Sequence, residues 1–205
     1  MSRPLKHLTP RYIFNKISRL IDERINPDNP WLTPESVKIL NSIIKNEDVG
    51  VEFGSGRSTK WFAKRMGFLT SIEDNQKWFS IVSDALKKEN LLGSKVSYQL
   101  AKNNEEYADK ANQFSDNSID FCLVDGSVRD LCAMKMLTKI KKGGLLVIDN
   151  INWYMPNDLT YSPASKRTKD GFASSNWEFV WNEIKNWRMI WTSNGVTDTA
   201  IWIKK

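Results

Sequence analysis

Histidine and cysteine are scarce in this 205-residue chain, which has one of the first and two of the second. A lone imidazole, His7 in a charged N-terminal stretch, argues against a histidine-based catalytic dyad. Cys122 and Cys132 fall inside apolar runs that read as core elements, so they are expected as reduced thiols of a cytoplasmic protein rather than a disulfide framework. No run approaches the roughly 20 apolar residues of a membrane span, and the opening MSRPLKHLTPRYIF lacks the apolar core of a signal peptide. No internal repeat, low-complexity block or linker between two compositions is present. What is left is a soluble globular chain, 40% hydrophobic, with material for one well-filled core.

The formal net charge is +6. Two basic clusters stand out: Arg3, Lys6, Arg11, Lys16, Arg19 and Arg24 early, and Lys166, Arg167 and Lys169 late. Such clusters attract anions, nucleic acid among them. No zinc-finger, RRM-like or other nucleic-acid motif accompanies them, so a solvated surface is the favoured reading.

Hydrophobic periodicity divides the chain. Residues 10–24 place Ile13, Ile17, Leu20 and Ile21 on one helical face. A proline-rich connector, Asn26–Pro34, follows; Thr33-Pro34 then suits a helix start, with Val37, Leu40, Ile43 and Ile44 as its apolar stripe. From residue 49 strands and helices alternate: VGVEF, GFLTSIE, KVSYQL, IDFCLV and GGLLVI are the strands. Helices are expected over Ser58–Met66, about 76–90, and around Ala133, Met136, Leu137 and Ile140. That rhythm predicts an α/β fold with a mostly parallel sheet covered on both faces. Near the end, Ser175 and Glu178 suggest a capping box for a helix carrying Trp177, Val180, Trp181, Ile184 and Trp187. RMIWTS and VTDTAIWI then flank Asn194-Gly195, a two-residue hairpin turn in which both residues would have positive φ. The expected whole is a seven-stranded sheet ending in an antiparallel hairpin, with residues 1–32 as an N-terminal helical extension and 33–205 as the α/β domain.

Two constellations carry chemistry. Glu52-Phe53-Gly54-Ser55-Gly56-Arg57-Ser58-Thr59 lies at a strand-to-helix junction, where glycines let a ligand approach main-chain N–H groups. A branched side chain at Gly54 would block that approach. Glu73 closes the next strand, 19 residues on, where a carboxylate accepts the two hydroxyls of an adenosine ribose; Asp74 beside it is the alternative. Thr59 stands where a dinucleotide-binding GxGxxG would have its third glycine, and Glu52 can reach an amino-acid end of a cofactor. The second constellation is Asp125 with Asp149 and Asn150, at the ends of the fourth and fifth strands.

EFGSGRST, SIED, the VDG strand end and GGLLVIDN together resemble the class I S-adenosylmethionine (SAM)-dependent methyltransferases, over about residues 33–205. The similarity is to small bacterial members with VDG-x-x-R-D-x-C and a terminal WTSNGVTDTAIW hairpin. Ser58 stands for the third glycine of that family's ExGxGxG. The resemblance implies a Rossmann-like fold with SAM held by Glu52, Gly54, Ser55, Gly56, Ser58, Thr59, Glu73, Asp74 and Asp125. Locally the chain is similar to catechol- and caffeoyl-CoA-type O-methyltransferases, in which D…DN holds a divalent ion. That implies Asp125, Asp149 and Asn150 as catalytic residues and as ligands of Mg²⁺ if the enzyme is metal-dependent. The lysine those families carry three residues after the aspartate is Val128 here, followed by Arg129.

Arg129 reads as either an ion pair within its own helix or an anion contact. Trp153 and Tyr154 are candidate walls for an acceptor, and Tyr161–Ser174 a candidate lid. The implied acceptor is a small molecule or a sugar or glycan hydroxyl. Two other readings stay open: an NAD-dependent oxidoreductase, and a basic nucleic-acid-binding module that retains the fold without catalysis.

Overall fold

The computed structural model describes residues 9–157 and 171–205. His7 and the Lys166, Arg167 and Lys169 cluster lie outside these, as does most of the candidate lid. The chain runs α1 (Pro10–Ile25), α2 (Pro34–Ile43), β1 (Val49–Phe53), α3 (Arg57–Ala63), β2 (Phe68–Glu73), α4 (Gln76–Lys88) and β3 (Val96–Leu100). It continues through α5 (Asn104–Asp109), β4 (Ile119–Val124), α6 (Arg129–Met136), β5 (Ile140–Asp149), α7 (Ser175–Ile184), β6 (Arg188–Ser193) and β7 (Asp198–Ile203). The sheet has seven strands in the order β3-β2-β1-β4-β5-β7-β6. The first five are parallel; β7 enters antiparallel between β5 and β6.

Central strands are apolar on both faces because both faces are covered. Along β4, Cys122 and Val124 face one core with α5, α6 and α7, through Tyr107, Cys132, Met136, Trp177 and Ile184. Phe121 and Leu123 alternate to the other face, against Leu40 of α2 and Trp61 and Phe62 of α3. Val82 and Leu86 of α4 cover β3 through Val96. The two cysteines are buried and unpaired. No described helix is long and apolar enough to cross a membrane.

Two local expectations are corrected, and two features are added. The last helix is capped by Ser174, whose Oγ accepts the Trp177 N–H (3.3 Å), one residue before Ser175. The hairpin loop spans four residues, 194–197, rather than two: Gly195 alone among them has positive φ (78°). The Asn194 side chain supplies the turn, its Oδ1 accepting the Val196 and Thr197 N–H groups (both 2.9 Å). α5 was not anticipated, since a six-residue polar helix shows too little periodicity. The apolar face of α1 points outward, with Ile13, Phe14, Ile17, Leu20, Ile21 and Ile25 exposed.

Candidate functional site

The strand order reverses between β1 and β4, and a crevice opens where their connections leave the sheet in opposite directions. The turns after these strands meet at two glycines. Gly54 has φ +95°, and a Cβ on it would lie 2.5 Å from the Gly126 amide nitrogen. A Cβ on Gly126 would in turn collide with the Tyr107 hydroxyl of α5. The neighbouring turn therefore requires glycine at Gly54. Gly56 has the open surroundings: its nearest contacts would be the Trp78 ring, 3.8 Å away.

Glu73 organises this turn. Its Oε2 accepts the Ser55 N–H (3.1 Å) and hydroxyl (2.6 Å), and its Oε1 accepts the N–H groups of Asp74 (3.1 Å) and Asn75 (2.9 Å). Because the Ser55 hydroxyl is spent on Glu73, the Tyr98 hydroxyl, 2.7 Å away, must be the donor to Ser55. The Trp78 indole donates to the Ser55 carbonyl (2.7 Å). Asp74 is partly exposed beside Glu73.

Beneath the turn lies Glu52, fully buried. The Thr59 and Ser71 hydroxyls donate to its Oε2 (2.6 and 2.7 Å), while Thr59 Oγ1 accepts the Gly56 N–H (2.9 Å). Burial lifts its carboxyl to about 7; the Ser58, Thr59 and Ser71 hydroxyls oppose the rise and Asp125 adds to it. Its Oε1 accepts no hydrogen bond of ordinary geometry among the described residues.

On the β4–β5 side the centre is Arg129. Its Nε donates to the Gly126 carbonyl (2.9 Å), and Nη2 to the Asp125 carbonyl (2.7 Å) and carboxylate (2.9 Å). Nη1 donates to the Asp149 carbonyl (2.5 Å) and, more weakly, to Asn150 Oδ1 (3.3 Å). All five guanidinium N–H groups are therefore used within the protein. The Asp149 carboxyl turns inward, 3% exposed, and accepts the Thr199 hydroxyl (2.6 Å). Burial, and then the nearby Asp125 charge, push it up to about 8. Burial also raises Asp125, against the pull of Arg129. Asn150 donates to Thr197 Oγ1 (2.5 Å). Val128 (φ 35°) and Asn150 (φ 53°) hold left-handed backbone beside this cluster, a conformation a β-branched valine adopts only under constraint.

A cavity of about 470 Å³ adjoins Gly126 and Arg129 and reaches Tyr154, Ser174 and Trp177. Tyr154 stacks on Trp177, ring centroids 5.0 Å apart. Asp130 is tied down by the Ser174 hydroxyl (2.9 Å). Of the two proposed acceptor walls, Tyr154 lines this cavity and Trp153 does not; of the candidate lid, Ala173 and Ser174 line it.

Among solved structures, a methyltransferase from Geobacter sulfurreducens is similar at a TM-score of 0.58 and 15% identity, over 98% of this chain and 93% of that one. A Staphylococcus aureus protein described as like caffeoyl-CoA O-methyltransferase gives 0.60 and 16%, over 93% and 92%. A Streptococcus mutans methyltransferase, solved with S-adenosylhomocysteine, gives 0.57 and 12%, over 83% and 96%. This chain has the class I methyltransferase fold. No protein-family model matches it, and no curated protein does.

The residues at the β1–β2 end of the crevice would fit the cofactor that the sequence resemblance implies. Gly56 leaves the turn open, Glu73 presents a carboxylate beside it, and the buried Glu52 Oε1 lacks a partner that a cationic amino group would supply. Mg²⁺ does not fit. The oxygens expected to hold it surround the Arg129 guanidinium instead, and the Asp149 carboxyl is committed to Thr199. Among the described residues no group of three His, Cys, Asp or Glu is arranged for a metal.

Proposed function

We propose that the protein is a SAM-dependent methyltransferase that methylates a hydroxyl of a small molecule or glycan without a divalent ion. The observation that carries this is the pairing of two different carboxylates around one glycine turn. We assign the ribose hydroxyls to Glu73, whose Oε2 holds Ser55, and the amino-acid end to Glu52, buried below. Ser55, Gly56, Ser58 and Thr59 shape the turn between them, with Gly54 fixing it against Gly126 and Asp74 flanking the ribose side. SAM supplies an activated methyl group on a sulfonium, so the chain's own part is to position the acceptor and take its proton.

Asp125 is the group we assign to proton removal, since its backbone abuts the Gly54 turn and it immediately precedes Gly126, which lines the cavity. Its ion pair with Arg129 keeps the carboxylate available as a base near neutral pH. Arg129, Asp149 and Asn150 set the position of that base and of the cavity floor. Tyr154 and Trp177 form an aromatic wall suited to the apolar face of a sugar ring.

Calorimetric titration of the full chain with S-adenosylhomocysteine and, separately, NAD tests the assignment. The expected result is low-micromolar S-adenosylhomocysteine binding, about 8 kcal/mol, and none with NAD. NAD binding in its place would make the protein an oxidoreductase; binding of neither would remove the cofactor site.

A further inference from the structure

Helix α1 is packed inside out. At about 100° per residue, Tyr12, Asn15, Arg19 and Glu23 share one face, and this polar face meets the protein. Tyr12 is buried, Asn15 lies against Gly195 of the β6–β7 loop, and the Glu23 carbonyl accepts from Arg57 Nη1 (3.3 Å). The opposite arc, about 140° wide, carries Ile13, Phe14, Ile17, Leu20, Ile21 and Ile25, with Arg24 as the one charge inside it, near the helix end. All six stand out from the surface, from 47% exposed at Leu20 to 71% at Ile25. Trp31, also exposed, continues the patch past the helix end, with the Arg57 guanidinium 5.1 Å from its ring centre. A contiguous apolar surface of this kind marks a contact with something outside the molecule.

The charge says what that is. Arg11, Lys16 and Arg24 are the exposed charges of α1. Its two acids are drawn inward: Asp22 accepts from Asn26 (2.8 Å) and Glu23 pairs with Arg19 (3.3 Å). A second copy docked here by two-fold symmetry would bring like charges to one seam. An anionic surface is complementary.

We propose that α1 and Trp31 dock the protein onto an anionic lipid bilayer. The apolar arc enters the headgroup–acyl boundary, Arg11, Lys16 and Arg24 face lipid phosphates, and Trp31 sits at headgroup depth. A charged 16-residue helix lies in the plane of the membrane rather than crossing it. Since α1 runs from the β6–β7 loop to the start of α3, the bilayer covers the same sheet edge that carries Gly54 and Arg129.

Co-sedimentation of the full chain with vesicles tests this, using phosphatidylcholine alone or mixed with phosphatidylglycerol. Three exposed cations predict roughly a hundredfold preference for the anionic vesicles at low salt, lost in high salt. Replacing Phe14→Glu and Ile17→Glu together, both exposed, should cut binding at least about tenfold while S-adenosylhomocysteine titration stays unchanged. Equal binding to both vesicles, or none, overturns the proposal. A dimer by light scattering that the double variant dissolves, without vesicle binding, overturns it in favour of a self-association face. Because lipid and cofactor readouts are separate, failure here leaves the methyltransferase assignment standing, and the reverse.

Discussion

Gly54 and Gly126 touch across the crevice, each occupying the space where the other strand's turn would need a side chain. Two turns 72 residues apart are thereby locked into one surface. Gly54→Ala should cost about 1–3 kcal/mol of stability, from the strained φ and the collision together, and should weaken S-adenosylhomocysteine as a consequence. Gly56→Ala has room for its methyl group and should leave the urea midpoint within about 0.5–1 kcal/mol of the parent. It should nonetheless lower cofactor affinity. A Gly56→Ala protein that binds as well as the parent would move the ligand away from this turn.

Glu73→Ala should weaken S-adenosylhomocysteine by about 1–3 kcal/mol in calorimetry, the scale of lost charged hydrogen bonds. Part of that loss comes through Ser55, whose N–H and hydroxyl both rely on Glu73. If the variant binds like the parent, Asp74 holds the ribose.

Glu52 predicts a pH dependence. Its folded carboxyl, at about 7, holds its proton more tightly than the unfolded one at about 4.5. Stability associated with this group is therefore whole below about pH 4.5 and declines as pH rises to about 7, by about 3 kcal/mol in all. Glu52→Gln should flatten that slope, gaining on the parent at pH 8 relative to pH 5 in urea titrations. The same substitution should weaken S-adenosylhomocysteine above pH 7, where the ionised parent meets the ligand's ammonium. Parallel pH profiles of parent and variant would contradict the buried charge.

Asp149 separates a positioning role from metal ligation. Asp149→Asn keeps an oxygen for Thr199 and should retain methyl transfer once an acceptor is in hand, whereas Asp149→Ala should lose it with cofactor affinity largely kept. Chelator should change neither. Removal of activity by chelator, restored by Mg²⁺, would reinstate the ion.

Arg129→Met should destabilise by about 3–5 kcal/mol, because it strands the Asp125 carboxylate and three main-chain carbonyls in a poorly hydrated cluster. Arg129→Lys cannot span the same five contacts and should recover only part of the loss. A variant at parental stability would make the cluster incidental.

Most of the strands were legible because burial on both faces leaves an unbroken apolar run. Val49–Phe53 and Ile119–Val124 match their sequence-based bounds for that reason, whereas Arg188–Ser193, a partly exposed edge strand, matches because Asn194-Gly195 marks its end. What stayed hidden depends on distant partners. Nothing local to Tyr107 shows that its hydroxyl sits over Gly126, and nothing local to Arg129 shows it collecting carbonyls from two strand ends. The resemblance offers Asp125, Asp149 and Asn150 as a metal cradle if the enzyme is metal-dependent; spacing reveals which side chains share an edge, not which cation stands among them. The outward face of α1 has the periodicity of any amphipathic helix, and only the packing of Tyr12 and Asn15 tells which side is inside.

The insertion of β7 between β5 and β6 bears on how the protein comes to exist. Among the described residues β6 pairs with β7 alone, and β7 has to join β5 before Thr199 can hold Asp149. The acceptor end therefore depends on a pairing between segments some fifty residues apart, and pairings of that separation close late because the intervening chain must first surrender its freedom. During synthesis β1 and β2 emerge well before β6 and β7 exist, so the acceptor end is the last part of the crevice that an emerging chain can complete.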